Sequence, residues 1–140
     1  MVFSGISTQS QKFDLRHDHT NLLVTDLDVS AKFYADILQL KELETPWGIN
    51  AGVRFFSIGD GQQIHLAKVS GNIIETNKVA HLAFNVTEFD KYLEFLNQKE
   101  ISYSDFSGNI SEIQMRPDGV RQIYLQDPDG NWIEINDARY

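Results

Sequence analysis

The chain has no cysteine in its 140 residues. That removes disulfides, thiolate metal sites and a cysteine nucleophile at once, so any metal must be held by His, Asp or Glu. Basic residues are few: twelve Lys and Arg stand against twenty Asp and Glu, a net charge of -8. Nucleic acids and anionic membranes need clustered Lys and Arg to displace counterions, and neither is expected as a partner. No apolar run approaches the roughly 18 residues of a membrane span. Residues 1–16 also lack the apolar block of a signal peptide, and a cytoplasmic protein is expected by default. What is present is an ordinary globular composition, 41% hydrophobic and 23% charged, in a length that supports one domain with a sizeable core.

Residues 1–16 are polar and aperiodic and read as a flexible N-terminal arm, leaving a single domain over 17–140. From His19 the pattern alternates: Leu22 and Val24 face one way, His19, Asn21 and Leu23 the other. Thr25-Asp26-Leu27-Asp28 signals a helix start, with Thr25 and Asp28 in nearly the spacing of a capping box. Val29, Phe33 and Ile37, with Tyr34 and Leu38, then form a helical stripe. Strands are expected near 53–58 and 62–68 around the turn Gly59-Asp60-Gly61, followed by a connector at 69–78.

The second half repeats the first. Setting His81 on His19, an offset of 62, aligns Val86 with Val24, Thr87 with Thr25, Asp90 with Asp28 and Phe95 with Phe33. Phe89, Tyr92, Leu93 and Leu96 make the second helical stripe. After a variable stretch over 102–119 the closing hairpin recurs at an offset of 69, with Gly61, Ile64, His65 and Leu66 matched by Gly130, Ile133, Glu134 and Ile135. Asp127-Pro128-Asp129-Gly130 supplies its tight turn. The modules run over about 17–68 and 79–137, each read as strand, helix, then two or three strands.

Alternation decides where the polar candidates point. Leu22, Val24, Ile64, Leu66, Leu82, Phe84, Ile133 and Ile135 make the apolar faces that helices should cover, so His19, His65, His81 and Glu134 fall on the opposite face. If the modules curve around a shared cleft, four metal-competent groups line it from equivalent positions. A lone strand histidine is more often a hydrogen-bonded structural residue, and His17 is read that way. Three histidines at repeat-related positions, with a carboxylate completing the set, favour a metal instead. Imidazoles plus a carboxylate suit Zn, Fe(II), Mn, Ni or Co rather than Ca or Mg. Trp132 shares the face of Glu134. Tyr124 is in phase with it, as core or as pocket lining. Arg121 is either a holder of an anionic group or, like Arg54, a surface residue, and Trp47 is read as a rim residue.

At these residues the chain resembles the vicinal oxygen chelate superfamily, the group of glyoxalase I, fosfomycin-resistance proteins and extradiol dioxygenases. The matching stretches are His19 with NLLVTDLDVSAKFYADILQL, VAHLAFNV around His81, and YLQDPDGNWIEI through Glu134. The resemblance implies an α+β fold in which two βαβββ modules form a curved, cup-shaped mixed sheet, helices outside, around a divalent transition metal. By position, His19, His81 and Glu134 match the two-histidine, one-glutamate set of the thiol-transferase and dioxygenase branches. His65 falls where glyoxalase I places a fourth ligand, Glu or Gln, and is the departure from that pattern. Gln39 replaces the usual glycine at the first helix end, and Tyr124 matches a substrate-facing tyrosine. The implied function is a metal-dependent glyoxalase-type lyase or isomerase acting on a small oxygen-rich substrate, with Glu134 doubling as the base. The alternatives are an extradiol-type dioxygenase, a thiol transferase of the fosfomycin-resistance kind, or a non-catalytic drug- or metabolite-binding protein like the bleomycin-resistance members. A homodimer is expected, with the modules pairing within one chain or between two.

Overall fold

In the computed structural model the alternating and helical patterns become β1 (His19–Val24), α1 (Leu27–Asp36), β2 (Lys41–Leu43), β3 (Val53–Gly59), β4 (Gln62–Lys68), β5 (His81–Asn85), α2 (Phe89–Gln98), β6 (Gln114–Met115), β7 (Arg121–Gln126) and β8 (Trp132–Asn136). The structure describes residues 13–48, 51–71 and 75–139. Residues 1–12 of the expected arm and 72–74 of the expected connector lie outside the described residues.

Each half is a βαβββ module with its own four-stranded mixed sheet, ordered β1-β4-β3-β2 and β5-β8-β7-β6. The fold is thus α+β, two tandem βαβββ modules. The first strand of each module runs parallel to the last, and the other pairs are antiparallel. The repeat is reproduced in the register. His19 lies opposite Gln63 and His81 opposite Trp132, and Gln63 and Trp132 are themselves related by the closing-hairpin offset. Phe55 lies opposite His65 as Tyr124 lies opposite Glu134.

The helices cover the apolar faces that alternation assigns. Val24, Phe56, Ile64 and Leu66 are fully buried with Tyr34 of α1, and Ile123, Leu125, Ile133 and Ile135 are buried with Phe89, Leu93 and Leu96 of α2. Each such aliphatic side chain stabilises the fold by about 1.5–3 kcal/mol relative to exposure. With period-two alternation, burying these residues forces His19, His65, His81 and Glu134 onto the other face.

Two local expectations are corrected. Asp26, not Thr25, caps α1: its carboxylate accepts from the amides of Asp28 and Val29. Thr25 is instead drawn away to Asp129 of the second module, through its amide and hydroxyl. The expected stripe is also rotated. Val29 is exposed, and the residues of α1 buried against the first sheet are Ser30, Ala31 and Tyr34. Phe33 and Ile37 pack toward the second module, where Ile37 joins the core of Phe89 and Leu93. Because α1 has two apolar neighbours, its stripe is broad in the sequence. Of the two or three strands expected after each helix, both modules have three among the described residues. The additional ones, β2 and β6, are only three and two residues long, too short to show an alternation.

The turn at 127–130 also does more than reverse the chain. Asp127 is buried, and its carboxylate accepts from the amides of Asp129 and Asn131, the Asn131 side chain and the Tyr34 hydroxyl. Asp129 accepts from Thr25 and from Ser30, and Asn131 donates to the Leu23 carbonyl. This turn therefore ties β1 and α1 to the second module.

Candidate functional site

On the first module's polar face the side chains of His19 and His65 stack, ring centres 4.0 Å apart and planes 16° from parallel. Phe55 stacks on the other side of His65 at 3.5 Å, and Trp47, largely exposed, meets Phe55 edge-on at 5.8 Å. One ring nitrogen of each histidine is engaged. His19 Nδ1 is 2.6 Å from the Asp18 carboxylate, and His65 Nε2 donates to Gln63 Oε1 at 2.8 Å. The hydrogen bond to His19 lowers the Asp18 pKa. Burial, then the neighbouring His19, lowers that of His65, with Asp18 opposing. With His65 Nε2 donating, its lone pair lies on Nδ1; with His19 Nδ1 on Asp18, its lone pair lies on Nε2. Near-parallel rings direct such lone pairs side by side rather than at one point.

On the second module His81 and Glu134 are the corresponding pair. His81 Nδ1 donates to the Lys78 carbonyl at 2.7 Å, which leaves the lone pair on Nε2, 3.4 Å from Glu134 Oε2. Glu134 is buried and held at both oxygens: the Tyr124 hydroxyl donates to Oε2 at 2.8 Å and Asn136 Nδ2 donates to Oε1 at 2.7 Å. Gln122 Nε2 donates in turn to the Tyr124 hydroxyl. Burial raises the Tyr124 pKa, its bond and charge contact with Glu134 add to this, and Arg116 and Gln122 oppose. The phenol thus stays a donor. Beside this network the Lys78 ammonium lies over the Trp132 ring, 4.3 Å from its centre.

The structure brings the seven candidates together unevenly. His19 and His65 form one pair; His81, Glu134 and Tyr124 form another, with Trp132 on the same face one register step away. Arg121 is not among them. It belongs to the helix-facing register of β7, where it pairs with Asp90 and Asp137 over the Phe89 ring. Arg54 similarly pairs with Glu42 and Asp28. His17 lies against Gln62 and Thr20. Among the described residues no three His, Cys, Asp or Glu side chains are grouped as a metal-holding set. A cleft of about 560 Å³ is lined by residues such as Glu42, Thr45 and Arg54, with none of the candidates among its described lining residues. A smaller one, about 370 Å³, runs between Thr20 and Leu22 of β1 and His81, Leu82 and Trp132 of the second sheet. Alternation could have found Gln122 and Asn136, which stand two residues from Tyr124 and Glu134 on the same face. Lys78 and Arg116 lie outside the long strands and carry no such signal.

The His81–Glu134 pair fits a cation. An imidazole lone pair facing a carboxylate oxygen at 3.4 Å sets two electron-rich atoms against each other, an arrangement relieved by a shared metal ion or by a proton on Nε2. Imidazole and carboxylate, with the second ring nitrogen tied to the Lys78 carbonyl, are donor types that first-row transition metals accept.

Comparison with known proteins bears on the family to which these modules belong. The family model described as Glyoxalase/Bleomycin resistance protein/Dioxygenase superfamily matches residues 16–135. The uncharacterised protein YwbC of Bacillus subtilis is 27% identical over 125 residues, covering 86% of this chain and 95% of that one. The metallothiol transferase FosB of Staphylococcus epidermidis is 25% identical over 124 residues, covering 85% of this chain and 79% of its own. Among solved structures, the oxidase ChaP-H2 is similar with a TM-score of 0.74 at 27% identity, over 91% of this chain and 97% of that one. A match that begins before β1 and ends within β8 takes in both modules and all four metal-competent residues, and the chain belongs to the glyoxalase, bleomycin resistance protein and dioxygenase superfamily.

Proposed function

We propose that the protein is a divalent-metal-dependent enzyme of the glyoxalase type, a lyase or isomerase acting on a small oxygen-rich substrate, with His19, His81 and Glu134 as the metal-holding residues. The observation that carries this reading is the His81–Glu134 pair, in which the imidazole presents a bare Nε2 to a buried, doubly held carboxylate. When bound, the metal supplies Lewis acidity that stabilises an oxyanion on the substrate. The chain's own part is positional and protic. Tyr124 and Asn136 fix the carboxylate plane. Glu134 takes a proton from substrate carbon at one oxygen while the other keeps its hydrogen bond. Tyr124 and Trp132 wall the site. His65 supports His19 by stacking and enters the metal set only by leaving the Phe55 stack.

The site is completed by a second copy of the chain, in which His19 of one protomer meets the His81–Glu134 pair of the other. Support for this comes from the division of the candidates into two pairs that do not combine into a group of three among the described residues. A thiol-transferase reading has one observation in its favour: both oxygens of Glu134 are taken by donors, Tyr124 and Asn136, which suits a carboxylate that holds a metal rather than one that moves a proton. The test is metal loading followed by assays with a hemithioacetal of methylglyoxal, with fosfomycin plus a thiol, and with a catechol plus oxygen. Isomerisation of the hemithioacetal supports the first reading and thiol addition the second. Protein that takes up none of Zn, Ni, Mn or Fe(II) rejects both.

A further inference from the structure

Lys78 lies three residues before His81 in the connector between the modules, a place where a lysine is ordinarily solvated. Its side chain is instead half-buried and its ammonium engaged. Nζ is 4.3 Å from the ring centre of Trp132, 5.6 Å from that of Tyr124 and 5.9 Å from that of Phe106, all within cation–π range. Its three N–H donors have three acceptors: Ser104 Oγ at 3.3 Å and the carbonyls of Asp105 and Phe106 at 3.0 and 3.1 Å.

The loop that receives the ammonium is itself fixed. Ser104 exchanges both backbone hydrogen bonds with Tyr124, and the Phe106 amide donates to Gln114. At its other end Lys78 sits in a turn closed by Asn77, whose backbone and side-chain oxygens accept from Ala80 and Val79. The carbonyl of Lys78 is the acceptor for His81 Nδ1. The contacts therefore close a ring: Tyr124 to Ser104, Ser104 to Lys78, Lys78 to His81, His81 to Glu134, and Glu134 back to Tyr124.

We propose that Lys78 is a positioning residue: its engaged side chain holds the 77–80 turn so that its carbonyl selects the Nδ1–H tautomer of His81 and leaves Nε2 open toward Glu134. The tautomer of an imidazole is set by the hydrogen bond at its other nitrogen. A turn carried on a free lysine stem would hold that acceptor loosely, whereas a stem anchored at its far end by aromatic rings and carbonyls does not wander. The consequence for metal affinity rests on the proposed metal site; the tautomer itself does not.

The test uses the whole chain. Nitrogen-15 spectra of the imidazoles, recorded on metal-free protein at a pH where the rings are neutral, report the His81 tautomer directly. The expected result is Nδ1–H in the native protein, a mixture with Nε2–H in Lys78→Ala and Lys78→Met, and restoration of Nδ1–H in Lys78→Arg, which keeps charge and donors. Titration with Zn²⁺ should weaken by about tenfold in the Ala and Met variants and recover in Arg. An unchanged Nδ1–H tautomer in Lys78→Ala or Lys78→Met overturns the proposal, including the case where the variant is merely less stable. If the native protein binds no Zn²⁺ the metal reading fails, and the spectra still decide on Lys78.

Discussion

Phe55 and Tyr124 occupy the same place in the two modules, each opposite the polar residue of its closing strand. Phe55 gives His65 a ring to stack on; Tyr124 gives Glu134 a hydroxyl. One backbone template thus yields two different half-sites, a stacked imidazole in one and a hydrogen-bonded carboxylate in the other. Tyr124→Phe should leave the fold intact, cost roughly 1.5–3 kcal/mol in denaturant unfolding through the lost charge-assisted bond, and reduce metal affinity about tenfold in a competitive titration. Glu134→Gln keeps size and one acceptor. Turnover of the metal-loaded protein should fall far more than its melting temperature, and an unchanged turnover would reject the proposed role of the carboxylate. His65→Ala separates the two metal sets: a modest loss of affinity indicates three ligands, complete loss indicates four.

At the scale of elements, the turn between β7 and β8 joins the modules through a buried carboxylate. Burial raises the Asp127 pKa against the lowering influence of its bonds from Asn131, Tyr34 and Asp129. A raised acid binds its proton more tightly folded than unfolded. This group's contribution to stability is therefore fully present below the unfolded value and is lost as pH rises through the folded value. The stability of the native protein minus that of Asp127→Asn, measured by urea unfolding, should fall as pH is raised out of the ordinary carboxylate range; a flat or rising difference contradicts the burial account. The end of α1 offers a second check. Gln39 takes the left-handed conformation, φ 55°, that normally falls to glycine at a helix end, and the amide of Leu40 reaches back to the Tyr34 carbonyl. Gln39→Gly should raise stability by up to about 1 kcal/mol with no effect on metal uptake.

For the molecule as a whole the question is how two half-sites make one. If His19 of one protomer serves the His81–Glu134 pair of another, His19→Ala and Glu134→Ala are each inactive alone. Mixed and allowed to exchange subunits, they form mixed dimers with one intact site, and about a quarter of native activity should return. Pairing within a chain predicts no recovery, because every site then carries one of the substitutions.

The sequence by itself determined the module. Period-two alternation assigned the apolar faces, and the repeat offsets relate His19 to His81 and Gln63 to Trp132, residues that the structure then sets opposite one another in equivalent register in the two sheets. It also isolated His19, His65, His81 and Glu134 as a polar set, because burial of their neighbours leaves them one face only. Contacts made across elements were not legible. Nothing local marks Asp129 as a partner for Thr25, the second apolar side of α1, or the approach of Lys78 to three aromatic rings. Arg121 could be placed only once its carboxylate partners Asp90 and Asp137 were seen on the helix side of β7. Alternation is a property of one strand, fixed by backbone geometry. Which half-site meets which is fixed by how two separately folded sheets pack, and that is decided only in three dimensions.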